Sequence, residues 1–213
     1  MRFLSTTMML ASILLVSLSN ISAQRYSSGI VFYDIEFDSE ELDAASAAML
    51  EGSNLILMFK DQKVRVEMDM QEMTTIAIND EDHQTRIVLV DMFGQKMYQT
   101  LDWEELEDSP SEEEFTVEYS GEIQDIAGMK TEQAIITYRD GQTAEFWICK
   151  DIVPGASSTD FTLSGIQGLP LEMDIKQNNM EMHLTAIEVI LEEVDDELFD
   201  TTPPPGYTEV NNN

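Results

Sequence analysis

The stretch that decides the fold is IQDIAGMKTEQAIITYRDGQTAEFWICKDI, residues 123–152. It holds two alternating apolar runs, Gln133 to Arg139 and Thr143 to Lys150, which are joined by Asp140-Gly141-Gln142. Asp-Gly between alternating runs is the strongest short signal for a β-hairpin, because both residues tolerate the positive φ of a tight primed turn. We therefore expect a hairpin here, in the middle of a curved antiparallel sheet.

Short alternating runs continue on both sides of this hairpin. In the run from Lys63 to Met70, every second residue is apolar and the residues between them are charged. The other predicted strands are Tyr26 to Phe37, Asn54 to Phe59, Thr74 to Ile78, Arg86 to Val90, Lys96 to Leu101, Phe115 to Ser120, a strand opened by Gly168-Leu169-Pro170, and Met180 to Val194. Short strands separated by polar turns are typical of an antiparallel sheet and not of alternating strands and helices.

The last of these runs changes phase. Met182, Leu184 and Ala186 share one parity, whereas Ile187 and Val189 share the other. An extra residue in one strand produces such a phase change, so the pattern predicts a β-bulge near Ala186 that bends the sheet.

Helical signals are few. An alanine-rich segment from Asp43 to Leu50 ends at Gly52, and a second short piece is expected from Asp160 to Gly165. The sequence thus predicts a mainly β (α+β) fold, an open half-barrel with one or two short covering helices. It forms a single domain over residues 24–198.

The C-terminal tail, residues 199–213, is proline-rich. Proline cannot pair in a central strand, so we expect the tail to leave the sheet and to be partly disordered. Phe199 and Tyr207 are its candidates for contact with the body.

The first 23 residues, Met1 to Ala23, have a basic start, an apolar centre and small residues before Gln24. This pattern predicts a secretory signal peptide, with a mature protein that is exported to the periplasm or outside the cell and has no stable transmembrane anchor. Cys149 is the only cysteine, so no internal disulfide is possible. We expect it to act as a small buried hydrophobic residue.

Charge is the dominant compositional feature. Asp plus Glu total 42 against 11 Lys plus Arg, which gives a formal net charge of −31 at pH 7. Such a field repels nucleic acid and argues against docking on anionic membranes. The acidity could serve a cation or a basic partner, or it could serve solubility and adaptation to high salt. The spread of the acids along the chain favours the second interpretation.

Motifs of catalysis are not evident. His83 and His183 lie far apart and lack the spacing of a metal site. The sequence contains no nucleophile elbow, phosphate-binding loop or dinucleotide-binding glycine pattern. We therefore predict no catalytic residues, no metal site, no cofactor and no enzymatic activity.

Apolar composition is the remaining clue to function. Fourteen methionines are present, and several strands, such as Ile87-Val88-Leu89-Val90, are apolar on both faces. A strand that is apolar on both faces needs something to shield each face from water. A helix could cover one face and an apolar ligand the other, or both faces could belong to a filled core.

Several segments resemble an exported family of domains of unknown function, family 4412, found mainly in Bacteroidetes. The resemblance rests on residues 29–33 (GIVFY), 126–130 (IAGMK), 145–148 (EFWI), 168–170 (GLP) and the ending from Phe199 to Tyr207 with its Pro-Gly-Tyr. That family looks like the lipoprotein-carrier (LolA-like) superfamily. The resemblance implies a curved half-barrel whose hollow holds lipid acyl chains, but it supplies no catalytic residues.

These observations predict an exported protein that binds an apolar ligand in the cell envelope, with lipid or lipoprotein acyl chains as the partner. The alternative is a structural or protein-interaction module of the envelope with a filled core and an envelope protein as its partner. The residues predicted to line the hollow are Phe59, Met68, Met70, Leu89, Phe146, Ile148, Met173 and Met182.

Overall fold

The computed structural model describes residues 25–37, 50–102, 115–155, 166–177 and 180–210, which contain twelve strands in one sheet. The sheet is curved and open, and every strand pair is antiparallel except the one formed by β12. The strands are β1 (Ser28–Phe37), β2 (Asn54–Lys60), β3 (Lys63–Met70), β4 (Met73–Asp80), β5 (Thr85–Met92), β6 (Gln95–Asp102), β7 (Phe115–Ile126), β8 (Met129–Tyr138), β9 (Thr143–Cys149), β10 (Leu169–Gln177), β11 (Met180–Ile190) and β12 (Thr208–Glu209).

The sheet consists of two meanders, β2 to β6 and β7 to β11, which β1 joins. Its order is β12-β6-β5-β4-β3-β2-β1-β11-β10-β9-β8-β7. Gly29, at the start of β1, lets the β1 backbone lie close to the end of β11. A Cβ at this position would lie only 2.7 Å from the Ile190 carbonyl oxygen. The hairpin of β8 and β9 is confirmed, but the prediction that it forms the middle of the sheet is wrong. It lies near one edge, because β1 pairs with β2 and β11 and takes the central place.

The turn of that hairpin also differs from the predicted primed turn. Gly141 has φ 84°, whereas Asp140 does not have a positive φ. The Gly141 N–H donates to the Tyr138 carbonyl, and the Tyr138 N–H donates to the Gln142 carbonyl, both at 2.9 Å. The Asp140 carboxylate accepts the Gln142 N–H, which stabilises this longer turn with a single left-handed residue.

The predicted β-bulge is confirmed. Phe32 pairs with Glu188 and Tyr33 pairs with Ala186, so Ile187 is the extra residue. The predicted strand from Lys63 to Met70 matches β3 at both ends, whereas β7 continues past Ser120 to Ile126.

The covering helices are not borne out by the described residues. The predicted helix from Asp43 to Leu50 lies outside them except for Leu50, and the piece from Asp160 to Gly165 lies wholly outside them, as do residues 1–24 and 211–213. The described residues include a 3-10 turn, Asp196–Phe199. No helix within the described ranges is long and apolar enough to cross a membrane.

The larger core cluster lies on one face of the curved sheet, which we call the concave face; the opposite face is called the convex face. The centre of this cluster is formed by alternate residues of β1, β2, β8, β9, β10 and β11, including Val31, Tyr33, Leu55, Leu57, Phe59, Ile136, Phe146, Ile148, Met173 and Leu184. On the opposite face of the central strands, Asp34 and Glu36 are exposed to solvent. The side chains of this cluster are buried and packed against one another. Tyr33 is fully buried, and its hydroxyl donates to the Pro170 carbonyl at 2.7 Å.

The C-terminal tail covers part of the convex face. Val194 and Phe199 form a second buried cluster with Ile78, Ile87 and Leu89, against which Tyr207 also packs. The tail then returns to the sheet as β12, which runs parallel to β6. The expectation that the tail leaves the sheet is therefore wrong for its described part: it crosses over the convex face and adds an edge strand beyond its prolines.

Basic residues of β2 and β3 hold the start of the tail. Lys60 Nζ lies 3.0 Å from Asp196 and 3.4 Å from Glu193, and Lys63 Nζ lies 3.2 Å from Asp196. Hydrogen bonds from both lysines hold the pKa of Asp196 below its usual value, and the bond to Asp196 raises the pKa of Lys60. We call residues 193–199 with these lysines the tail clamp.

Replacing Phe199 with Ala should destabilise the protein by about 3–5 kcal/mol, because a buried aromatic ring is lost from the second cluster. Phe199 is 3% exposed, whereas its neighbour Leu198 is 36% exposed. Leu198→Ala is the matched control and should cost no more than about 1 kcal/mol. Urea unfolding gives the free energy of unfolding of both variants. Equal losses of stability in Phe199→Ala and Leu198→Ala would show that the tail is not part of the folded core.

The tail clamp predicts a pH dependence. Because the pKa of Asp196 is lowered in the folded state, its stabilisation is present above the unfolded carboxyl pKa of about 3.9 and is lost as pH falls through the lowered value. The difference in free energy of unfolding between wild type and Asp196→Asn should be constant near neutrality and should shrink in acid. Urea titrations across the acid range test this, with Asp125→Asn as an exposed control on β7. Curves for Asp196→Asn and wild type that stay parallel at all pH values would contradict the clamp.

Candidate functional site

The concave face of β3 to β6 carries no carboxylate. The register places sixteen residues of these four described strands on that face: Val64, Val66, Met68, Met70, Met73, Thr75, Ala77, Asn79, Arg86, Val88, Val90, Met92, Gln95, Met97, Gln99 and Leu101. Charged residues of the same strands lie on the opposite face: Lys63, Arg65, Glu67, Asp69, Asp80, Asp91 and Lys96. In a chain with 42 acids, an acid-free face of this size marks a surface where a carboxylate would be costly.

Five methionines gather at one end of this face. Met70, Met73 and Met92 are cross-strand partners in one row, and Met68 and Met97 lie in the next row with Thr75 and Val90 between them. Four of the five are half-buried, and Met92 is 38% exposed. We call these five residues the methionine platform. Methionine is flexible and polarizable, so this surface can adapt to apolar ligands of different shape.

Arg86 lies toward the other end of the face and is its one charged residue. Its cross-strand neighbours are Asn79, which is buried, and Leu101. The Arg86 Nε is shielded from solvent and has no hydrogen-bond partner. The concave face of β3 to β6 is therefore apolar at the hairpin end and basic at the opposite end.

The predicted lining residues fall in three places. Five of them belong to the larger core cluster: Phe59, Phe146, Ile148, Met173 and Met182. Met68 packs against this cluster. Met70 belongs to the methionine platform. Leu89 lies on the convex face beneath the tail, opposite the other seven predicted lining residues. In Ile87-Val88-Leu89-Val90 both parities are apolar, and neither could be assigned to a face from the sequence.

The sequence prediction missed Arg86, Met73, Met92 and Met97. A usable signal was present in the parity of charges: within each of the four strands, every carboxylate falls on one parity. Matching that parity across strands requires the register, which the structure supplies.

The two histidines contact carboxylates at the surface. His83 Nδ1 lies 2.8 Å from Asp80, and His183 Nδ1 lies 2.6 Å from Asp174. His183 Nε2 also lies 3.1 Å from the Thr185 hydroxyl, so the order of groups is that of a hydrolase triad. His183 and Asp174 are 41% and 46% exposed on the convex side, so the pair is open to water and not held in the dry, preorganised site that such catalysis uses.

Other reactive groups do not form a site either. Cys149 is fully buried, as expected, and burial raises the pKa of its thiol. Among the described residues, no group of three or more His, Cys, Asp or Glu side chains is placed to hold a metal ion. A cleft of about 340 Å³ lies beside the tail clamp, and its Lys60 is already engaged by Glu193 and Asp196.

Solved structures share the chain's strand arrangement only loosely. MucB is 12% identical over 84% of this chain, with a TM-score of 0.40, and the chain spans 59% of the MucB length. A β-barrel-like protein of domain of unknown function DUF1849 from Brucella abortus is 12% identical over 80% of this chain and 100% of its own, with a TM-score of 0.37. LprF from Mycobacterium bovis is 11% identical over 77% of this chain and 85% of its own, with a TM-score of 0.26.

Sequence comparison places the chain in a family. No curated protein matches it. The family model described as "Domain of unknown function (DUF4412)" matches residues 44–207, which is most of the chain. The resemblance inferred from the short motifs is thereby confirmed at the level of the family: the chain belongs to the DUF4412 family.

Proposed function

We propose that the protein is an exported binding protein of the cell envelope whose concave face holds an apolar ligand, such as a lipid or the acyl chains of a lipoprotein. The observation that carries this proposal is the acid-free concave face of β3 to β6. The proposed export rests on the sequence pattern of Met1 to Ala23. The ligand binds without chemical conversion, because the hydroxyl of this face, on Thr75, has Met68 and Val90 as cross-strand neighbours and no base beside it.

The ligand position follows from differences in burial. Phe59, Ile148 and Met173 are almost fully buried, so their part of the concave face is already filled by the protein's own side chains. The methionine platform continues that apolar surface but is only half-buried. Covering it removes further apolar area from water, which contributes roughly 25 cal/mol per Å². We therefore place the ligand on the platform, with Met68 and Met70 as the predicted lining residues that remain in contact with it.

Affinity for an acyl chain is expected from the same surface. Each methylene that leaves water contributes about 0.8 kcal/mol, so a chain of many methylenes gains more than its loss of freedom on binding costs. The high density of carboxylates elsewhere keeps the loaded protein in solution.

The second candidate is a structural or interaction module with a filled core. The complete burial of Phe59, Ile148 and Met173 favours it, because these residues leave no hollow at the centre of the sheet. In that case the half-buried platform is only the margin of the core. Delipidated protein that binds no fatty acid or lipid would favour this candidate over the proposed function.

A carboxylate on the platform should weaken ligand binding. Met92→Glu places a charge beside the proposed ligand, and because an unpaired carboxylate loses its hydration there, affinity should fall at least roughly tenfold. Phe93→Glu is the matched control, since Phe93 is the next residue, is 65% exposed, and lies in the turn outside the platform. Titration of each protein with a fluorescent fatty acid gives the two dissociation constants.

Met92 is exposed enough for Met92→Glu to fold, which circular dichroism and urea unfolding verify. Equal affinities of wild type, Met92→Glu and Phe93→Glu would place the ligand elsewhere or show that the binding is nonspecific.

A further inference from the structure

Arg86 is the exception on the acid-free face. It is the one charged residue among the sixteen, and the register gives it Asn79 and Leu101 as neighbours. Within the described part of the chain it has no ion pair, and its shielded Nε has no hydrogen-bond acceptor. The other cations of β2 and β3 differ: Lys60 and Lys63 are paired with Asp196, and Arg65 is paired with Glu67.

An unpaired, partly buried guanidinium is costly to the free protein. It loses hydration without gaining an acceptor, and in a chain of net charge −31 carboxylates are abundant. Folding nevertheless places every carboxylate of β3 to β6 on the opposite face. A charged group that loses hydration in the folded protein without gaining a protein partner is typical of a site where a ligand supplies the partner.

We propose that Arg86 binds the anionic head of a single-chain amphiphile, a carboxylate or a phosphate, while the methionine platform binds its hydrocarbon tail. The planar guanidinium matches either oxyanion in a bidentate arrangement. This inference rests on the proposed function and deepens it, because it names the class of ligand and its direction on the sheet.

The dimensions of the face fit this class. Arg86 and Met92 lie six residues apart on β5, which spans about 20 Å at 3.3 Å per residue. One layer of acyl chains occupies about 15 Å, half of the hydrocarbon thickness of a bilayer. The row of Met68 and Met97 crosses β5 at Val90, about 13 Å from Arg86, so an extended chain with its head at Arg86 ends on the platform between that row and the row of Met73 and Met92.

The test compares ligands that have different head groups on a hydrocarbon chain of the same length. Hexadecanoate, hexadecyl phosphate and the uncharged hexadecanol are titrated into delipidated wild type by displacement of a fluorescent fatty acid, at about 0.15 M salt, where the screening length is about 8 Å. Wild type should bind at least one of the anions roughly tenfold or more tighter than the alcohol, as expected for a charge-assisted hydrogen bond. A preference for one anion identifies the head group as carboxylate or phosphate.

Arg86→Met should abolish the preference for the anion, because it should weaken binding of the anions much more than binding of hexadecanol. Lys130→Met makes the same change in net charge at an exposed site on β8 and should retain the preference. Urea unfolding provides a second readout: Arg86→Met should be at least as stable as wild type, because it removes an unpaired charge that is partly buried.

The outcomes separate the two proposals. If wild type binds neither anion nor alcohol, the proposed function fails. If it binds all three alike, or if Arg86→Met weakens the alcohol as much as the anions, the function stands and the role of Arg86 is overturned.

Discussion

Solvation of carboxylates is the constraint on which the rest of this structure depends. The chain has 42 acids, and each must face water or a partner. The one buried acid of β4, Asp80, accepts hydrogen bonds from the His83 backbone and ring. Asp80 and the other acids of β3 to β6 lie on the same face of the sheet, which leaves the concave face of these strands free of acids. The apolar core, the methionine platform and the position of Arg86 all follow from this segregation.

The tail explains how a sheet with few described helical residues can have apolar residues on both faces. Strand β5 presents Ile87 and Leu89 to the tail and Val88 and Val90 to the concave side. On the convex side the cover is supplied by Val194, Phe199 and Tyr207 of the tail. The clamp lysines join this cover to the sheet by charge, so the few cations of the chain are used where acidic and apolar segments meet.

Much of the fold was predictable because its signals are local. The alternation from Lys63 to Met70 marks β3, and the phase change after Ala186 locates the bulge at Ile187. The turn at Asp140 was predicted with the wrong geometry because Asp-Gly is compatible with more than one turn type. Leu89 lies on the face opposite the other predicted lining residues, and the sequence could not separate the faces there because its strand is apolar at both parities. The platform and Arg86 required cross-strand register, which a single strand does not encode.

The central position of β1 has a consequence for the order of folding. Most strands of both meanders are joined to their neighbours by short turns, and such hairpins form quickly; the exception is the connection from β9 to β10, residues 150–168. Strand β1 can pair with β2 early, but its other edge stays unpaired until β11 is available. Ile35 pairs with Leu184, so this step needs nearly the whole chain. Until then Val31, Tyr33 and Ile35 lie on an open strand edge, the kind of surface that recruits other chains. Closure of this pair is the long-range step that ends the exposure, and the last strands of the protein therefore set the period during which a newly made chain is prone to aggregation.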